Sequence, residues 1–169
     1  MSKKYLFLLF PILLAGLLAY AITRALSAKE KQEAYRSTMP ELPFSTVAFE
    51  GNTPALVQQW PTVLVFFQPD CHFCEYEAKS FKGHITKFES INLVMVSPSP
   101  VTEITRFANE FGLAGKAVFM HDGEKRFSRL FGIKGVPGLL IYGSKGELLK
   151  IFNGETKVEA IFEVLNMHV

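Results

Sequence analysis

The sequence predicts an α/β domain with a mixed central sheet and helices on both faces, preceded by an N-terminal transmembrane helix. Short apolar runs alternate with amphipathic segments in the order β-β-α-β-α-β-α-β-β-α, which is typical of layered α/β proteins. The central runs are apolar at consecutive positions, as in strands that are buried on both faces. Ahead of them, residues 5–22 form a run of 18 residues without a charge.

This uncharged run determines the predicted domain organisation. A transmembrane helix needs about 17–25 apolar residues, whereas the apolar core of a cleaved signal peptide has roughly 7–15. The length of the run therefore favours a membrane anchor over residues 1–23, and Ala19-Tyr20-Ala21 leaves a cleaved signal peptide as the alternative. A charged, helix-prone linker follows over residues 24–43, and a single domain occupies residues 44–169.

Strands are expected where apolar residues run together between turn residues. The predicted strands cover residues 44–49, 63–67, 92–96, 117–120, 139–142 and 147–152. Helices are expected where apolar residues recur every three or four positions. The predicted helices start at Cys71, at Val101 and at Lys125, and a last helix presents Val158, Ile161, Phe162 and Leu165 on one face.

The charge balance bears on the class of partner. The whole chain has a formal charge of +2, and apart from Lys3, Lys4 and Arg24 it carries 15 basic against 16 acidic side chains. A near-neutral domain lacks the basic surface that nucleic-acid binding requires. We therefore expect no nucleic-acid partner.

The only two cysteines of the chain, Cys71 and Cys74, come directly after the buried strand 63–67. Residues 68–70 turn the chain into a helix, with Asp70 as the candidate N-cap. Both sulfurs share one face of this helix, which comprises Cys71, Cys74, Ala78, Phe81, Ile85 and Phe88. The first turn of a helix favours a thiolate, which predicts Cys71 as the nucleophile. Cys74, one turn deeper, is predicted to resolve a mixed disulfide formed on Cys71.

These segments together resemble the thioredoxin-like superfamily, and within it the membrane-tethered thiol:disulfide oxidoreductases of the TlpA/ResA type, in the AhpC/TSA-redoxin branch. The matching segments are the strand 63–67 leading into Cys71-His72-Phe73-Cys74, the stretch Phe131-Gly132-Ile133-Lys134-Gly135-Val136-Pro137 with the strand 139–142 after it, and Gly146-Glu147-Leu148. An additional strand and helix over residues 92–112 resemble the insertion that distinguishes this branch from plain thioredoxin. The resemblance covers about residues 43–165.

The resemblance implies a redox-active Cys71–Cys74 disulfide and a cis Val136–Pro137 peptide bond that faces it. In the family, the loop with this proline pairs its backbone with the substrate and shields the sulfurs from metals, so Val136 and Pro137 are the implied substrate-binding residues. The implied partners are protein disulfide or dithiol substrates, and a membrane or thioredoxin-type redox partner that recycles the enzyme. No nucleotide or flavin motif occurs, and we expect no cofactor and no metal.

The side of the membrane on which the domain lies follows from this chemistry. Disulfide exchange is most often needed in oxidising compartments, and the basic start Lys3-Lys4 resembles the beginning of an export signal. We therefore expect the catalytic domain on the exported side, in the periplasm if the organism is bacterial. Counting charges alone would favour the opposite orientation, because four basic residues follow the apolar run, namely Arg24, Lys29, Lys31 and Arg36.

Three positions depart from the usual family pattern. Asp70 stands where thioredoxins usually have tryptophan, and Phe73 stands where oxidising members usually have histidine. Val65 stands where a buried carboxylate commonly shuttles a proton. Glu75 and Glu77 are candidates to replace that carboxylate, although glutamates near a helix N-terminus are more often exposed and only complement the helix dipole. The direction of electron flow stays open.

Two other functions are compatible with a cysteine pair in this setting. One is a peroxiredoxin-like thiol peroxidase, although residues 68–71 lack the threonine that precedes the peroxidatic cysteine in that family. The other is the delivery of copper or another metal by a protein of thioredoxin fold. Structural zinc needs four ligands, and the remaining candidate ligands are scattered singly along the chain as His84, His121 and His168.

Overall fold

The computed structural model of the chain describes residues 3–49 and 53–167, with residues 3–9 described as backbone only. The chain divides into two compact units, of which the first ends at Ala34 and the second begins at Tyr35.

Helix α1 spans Lys3–Ser37 and so includes much of the predicted linker. Good helix formers occupy this part of the chain, and Lys29 and Glu33 lie one turn apart with 3.8 Å between Nζ and Oε1. The segment Phe10–Ser37 of α1 contains an 18-residue stretch with a mean hydropathy of 1.6. By length and composition this helix is able to cross a membrane, a property that signal sequences share.

The described part of the second unit alternates strands with helices in the predicted order. The strands are β1 Ser45–Thr46, β2 Thr62–Phe66, β3 Asn92–Ser97, β4 Val118–His121, β5 Gly138–Tyr142 and β6 Leu148–Asn153. The helices are α2 His72–Gly83, α3 Val101–Glu110, α4 Phe127–Phe131 and α5 Val158–Asn166.

The strands form one mixed sheet in the order β1-β4-β3-β2-β5-β6. Strands β2, β3 and β4 run parallel, while β1, β5 and β6 are antiparallel to their neighbours. All five residues of β2 are buried, and Val65 at its centre aligns with Met95 of β3 and Leu139 of β5. The segment that follows β2 therefore leaves from the middle of the sheet.

The two faces of the sheet pack against different elements. Because successive side chains of a strand point to opposite faces, Val63 and Val65 join a core with residues of α2, α3 and α5. Leu64 and Phe66 join a second core with residues of α4 and of the segment 35–44. The predicted fold class, a mixed sheet with helices on both faces, is confirmed.

The first strand is shorter than the predicted 44–49, because only Ser45 and Thr46 pair with β4 in strand geometry. At Phe49 the backbone N–H bonds instead to Oγ1 of Thr53, at 3.0 Å.

The cysteine helix ends earlier than its apolar period predicts. Helix α2 stops at Gly83, and Ile85–Phe88 forms a separate 3₁₀ turn. The N–H of His84 bonds to the carbonyl of Phe81 at 3.1 Å, a tightened step that commonly closes an α-helix.

Candidate active site

The segment between β2 and α2 brings the two cysteines to the carboxyl end of this inner strand. The N–H of Phe67 still bonds to the carbonyl of Val96 on β3, at 3.0 Å, so the chain leaves the sheet only after this residue. The N–H of Cys71 then donates to the carbonyl of Gln68, at 3.1 Å, and closes a tight turn. Helix α2 starts immediately after this turn.

The residue at the N-cap of α2 is Cys71, with φ −92° and ψ 112°, and not Asp70. The prediction of an Asp70 cap was wrong, because the turn closed onto Gln68 carries Cys71 itself to the cap position. Asp70 is exposed, and no side chain caps the helix. The Cys71 carbonyl accepts the N–H of Glu75 at 3.1 Å, so Cys71 lies at the end of the helix where the first N–H groups have no partner within the helix. These groups and the helix dipole favour an anion at that end.

The two thiols differ in exposure. Both are free, and Cys71 is partly exposed whereas Cys74 is only 2% exposed. Burial raises the pKa of Cys74 well above its usual range, and the hydrogen bond with the Cys71 side chain raises this pKa further. Cys71 is therefore the sulfur that a dissolved partner can reach, and Cys74 keeps its proton until a base removes it.

The loop before β5 approaches the outer sulfur. The carbonyl oxygen of Val136 lies 3.8 Å from Sγ of Cys71. The Val136–Pro137 peptide bond is cis, as the resemblance implies. Val136 is half-buried and Pro137 is buried. The structure thus brings Cys71, Cys74, Val136 and Pro137 into one site.

Glu77 belongs to the same site, because its charge acts on the Cys74 thiol. The side chain is only 2% exposed, so the expectation of an exposed glutamate was wrong for this residue. Its Oε1 accepts the backbone N–H of Thr156 at 3.2 Å, whereas no described group bonds to its Oε2. Burial raises the pKa of Glu77 to about 8, the Thr156 bond lowers it, and the nearby charge of Glu155 raises it.

A signal for this burial was present in the sequence. Cys74, Ala78 and Phe81 form the buried face of α2, and position 77 lies on it, three residues after Cys74. A carboxyl group on an apolar helix face is expensive to bury and is therefore a functional candidate. Glu75, off this face, is partly exposed and lies 4.0 Å from Nδ1 of His72.

One protein family matches the part of the sequence that contains this site. Residues 54–168 match the thioredoxin-like domain. The chain belongs to the thioredoxin-like domain family. The matched range contains the cysteine pair, Glu77 and the cis-proline loop, and the mixed sheet with its covering helices is the fold of this family. None of the curated proteins matches the sequence significantly.

Solved structures that share the thioredoxin-like fold include disulfide oxidoreductases and peroxiredoxins. StoA from Bacillus subtilis is 21% identical over 74% of this chain and 98% of StoA, with a TM-score of 0.58. A secreted Mycobacterium tuberculosis disulfide oxidoreductase homologous to E. coli DsbE is 22% identical over 78% of this chain and 96% of its own, with a TM-score of 0.57. Xanthomonas campestris peroxiredoxin Q is 19% identical over 78% and 93% of the two chains, with a TM-score of 0.61. At these identities the similarity shows the fold.

The first turns of α2 expose aromatic side chains. Phe73, between the two cysteines, is 57% exposed, and Tyr76 is 46% exposed. The ring of His72 packs edge-on against Tyr76, with 4.5 Å between ring centroids. Phe73 and Tyr76 follow Cys71 by two and five positions in the chain.

The histidines of the metal-binding alternative lie apart from one another. His84 Nδ1 donates to the carbonyl of Ser80 at 2.9 Å, and His84 Nε2 is 3.7 Å from Glu159. His121 ends β4, and His168 lies outside the described residues. Within the described part of the chain, no three or more His, Cys, Asp or Glu side chains are grouped so as to hold a metal ion.

Proposed function

We propose that this thioredoxin-like protein is a thiol–disulfide oxidoreductase whose redox centre is the pair Cys71 and Cys74. The observation that carries the proposal is the contrast between the two sulfurs. One is accessible at the start of a helix, and the other is buried one turn behind it. In this assignment Cys71 is the nucleophile and Cys74 is the resolving cysteine.

The exchange takes two steps when the reduced enzyme meets a substrate disulfide. The Cys71 thiolate attacks one substrate sulfur, which forms a mixed disulfide and releases the other substrate sulfur as a thiolate. The Cys74 thiolate then attacks Sγ of Cys71, which closes the Cys71–Cys74 disulfide and releases the second substrate sulfur. Two electrons pass from the enzyme to the substrate, and the released thiolates take up the two protons that the cysteines lost. The reverse sequence oxidises a dithiol substrate.

We assign Glu77 as the group that accepts the proton of Cys74. Three features support this role: the carboxyl is buried on the same face of α2, its Oε2 has no described partner, and its charge acts on the Cys74 thiol. A pKa of about 8 suits the role, because an acceptor is most effective when its pKa lies near the working pH. Glu77 then replaces the carboxylate that other family members carry at the position of Val65.

The substrates in this proposal are protein disulfides or dithiols that dock on Val136 and Pro137. The approach of the Val136 carbonyl to Cys71 supports this placement, since a chain lying along the loop would present its sulfur to the nucleophile. The exposed rings of Phe73 and Tyr76 offer apolar contact to residues that flank the substrate cysteine.

We further propose that residues 1–23 anchor the protein in a membrane, that residues 24–43 link the anchor to the domain, and that the domain over 44–169 acts on the exported side. The apolar helix α1 supports the anchor. A membrane electron carrier or a thioredoxin-type protein would return the cysteine pair to its starting redox state.

Trapping of substrates tests the assignment. In the Cys74→Ala variant the mixed disulfide on Cys71 cannot be resolved, so partner proteins should accumulate as covalent adducts that mass spectrometry identifies. The matched control, Cys71→Ala, should trap few or none. Equal trapping by the two variants would show that the roles are wrong.

The thiol peroxidase and metal-delivery alternatives make different predictions. A peroxidase would consume hydrogen peroxide rapidly in a reaction that requires Cys71, with a rate that exceeds its exchange with protein disulfides. A metal carrier would bind copper(I) tightly in the dithiol form, and binding would be lost in either cysteine variant. A disulfide oxidoreductase should consume hydrogen peroxide more slowly than it exchanges protein disulfides, and it should not bind copper(I) tightly.

A further inference from the structure

The turn between β6 and α5 bonds to both halves of the site. The N–H of Gly154 donates to the carbonyl oxygen of Pro137 at 2.8 Å. Two residues later, the N–H of Thr156 donates to Oε1 of Glu77 at 3.2 Å. One short turn therefore contacts the cis-proline loop and the buried carboxyl of the cysteine helix.

The turn is held in one shape by its own contacts. Oγ1 of Thr156 donates to the carbonyl of Gly154 at 3.1 Å, and Thr156 is only 7% exposed. Gly154 has a φ of +95°, a conformation that side-chain-bearing residues rarely adopt. A Cβ added at Gly154 would meet no atom within 4 Å, so a substitution there acts through the backbone and not through a clash.

We propose that the turn 154–156 is a positioning element that couples the substrate-docking loop to the proton acceptor Glu77. This inference rests on the proposed function, because it assigns the turn to the docking and resolving steps of disulfide exchange. Gly154 holds the docking loop through its hydrogen bond to the Pro137 carbonyl. Thr156 orients the Glu77 carboxyl so that it accepts the proton of Cys74. Neither residue touches the reacting sulfurs, so both act through their partners.

The charged and titratable groups that act on Glu77 lie on two elements, helix α2 and the turn 154–156. Cys74 lies on its own helix, and Glu155 lies within the turn. The Thr156 N–H favours the carboxylate, whereas the Glu155 charge opposes it. A shift of the turn changes these two influences at once, and it also moves the support of the docking loop.

The chain offers a matched control for a Gly154→Ala variant. Gly146 has a similar φ of +83°, but it lies in the turn at the opposite end of β6, away from the cysteines. Gly146→Ala therefore imposes a comparable backbone strain without touching Pro137 or Glu77. Thr156→Val and Thr156→Ser form a second pair, since only the serine keeps the hydroxyl that braces the turn.

The test combines two readouts on the full-length protein in detergent micelles. The titration midpoint of the Glu77 carboxyl is followed by NMR of ¹³C-labelled glutamate and assigned by its loss in Glu77→Gln. The KM for a protein disulfide is measured by insulin reduction. Gly154→Ala should move the midpoint upward by about one pH unit and raise the KM about fivefold. Gly146→Ala should leave both at the wild-type values.

The second pair should reproduce the effect in a milder form. Thr156→Val should move the midpoint in the same direction as Gly154→Ala, and Thr156→Ser should restore it. A Gly154→Ala protein that changes only one of the two readouts would overturn the coupling. A wild-type protein whose two cysteines never form a reversible disulfide would instead overturn the proposed function, whatever the midpoint of Glu77, so the two failures are distinguishable.

Discussion

Glu77 lies one turn beyond Cys74 on the buried face of α2, and its charge adds to the burial that raises the pKa of the Cys74 thiol. Two acids thus share a site from which water is largely excluded, and each holds its proton more tightly than it would in solution. Removing the proton from one is easier when the other is able to take it.

The raised pKa of Glu77 predicts a pH-dependent stability. The folded protein keeps this proton up to about pH 8, whereas the unfolded chain releases it near 4.5. The contribution of Glu77 to the free energy of unfolding is therefore complete below pH 4.5 and is lost as the pH rises toward 8. The loss should be on the order of a few kcal/mol, and urea unfolding of the reduced protein at several pH values measures it.

Two glutamine variants isolate this effect. Glu77→Gln should flatten the pH dependence between 4.5 and 8, because the titrating group is gone. Glu75→Gln is the matched control on the same helix, and it should keep the wild-type slope because Glu75 is partly exposed. An unchanged slope in Glu77→Gln would refute the assignment of the raised pKa to this residue.

The contrast between the two thiols predicts selective alkylation. Iodoacetamide reacts with thiolates, so the accessible Cys71 should be modified at least about tenfold faster than Cys74 in the reduced protein at pH 7. Peptide mass spectrometry after short exposures gives the two rates. In 6 M guanidinium chloride, a concentration on the order of that needed to unfold most domains, the two alkylation rates should converge. Equal rates in the folded protein would contradict the assigned roles.

Gly138 and Gly135 flank the cis-proline loop. Alanine should lower the free energy of unfolding at the first position and leave it nearly unchanged at the second. A Cβ at Gly138 would collide with Cγ2 of Ile133 and lie 3.2 Å from the carbonyl oxygen of Gly135, whereas a Cβ at Gly135 would meet nothing within 4 Å. Gly138→Ala should therefore lower the free energy of unfolding by about 1–3 kcal/mol and slow insulin reduction. Gly135→Ala should stay within about 0.5 kcal/mol of wild type. Equal effects of the two variants would show that the loop is not tightly packed at Gly138.

The position of the helix cap gives a further prediction. Replacing an N-cap aspartate by alanine usually costs about 0.5–2 kcal/mol. Because Asp70 is exposed and does not cap α2, Asp70→Ala should change the free energy of unfolding by less than about 0.5 kcal/mol. Urea denaturation of the two proteins in parallel measures the difference. A loss of more than about 1 kcal/mol would restore Asp70 as the cap.

Periodicity and composition were sufficient to predict the sheet and the cysteine pair. Consecutive apolar residues in β2 and β3 predicted strands buried on both faces, and the spacing of Cys71 and Cys74 predicted two sulfurs on adjoining turns. Both features depend on residues that are close together in the sequence, so local sequence patterns are sufficient to predict them.

The departures arose where distant segments decide the outcome. Glu77 was expected to be exposed as a glutamate near a helix N-terminus, but α2 packs against the sheet, and the Thr156 N–H, 79 residues further along, satisfies one of its oxygens. The cap shifted from Asp70 to Cys71 because a turn back to Gln68 closes first. No local pattern contains the link from Gly154 to Pro137, since it requires β6 to be paired with β5.

The most direct measurement is a redox titration of the cysteine pair. The protein is equilibrated in a series of dithiothreitol buffers of increasing oxidised fraction, free thiols are alkylated, and the mass of the chain reports how many remain. We predict one reversible two-electron transition in which both thiols disappear together and both return on reduction, and which is absent from Cys74→Ala. The series is repeated in glutathione buffers, so that it covers the potentials of both thioredoxin-like reductants and strong oxidants. A pair that stays fully reduced or fully oxidised across both series, or that closes without reopening, would contradict disulfide exchange by Cys71 and Cys74.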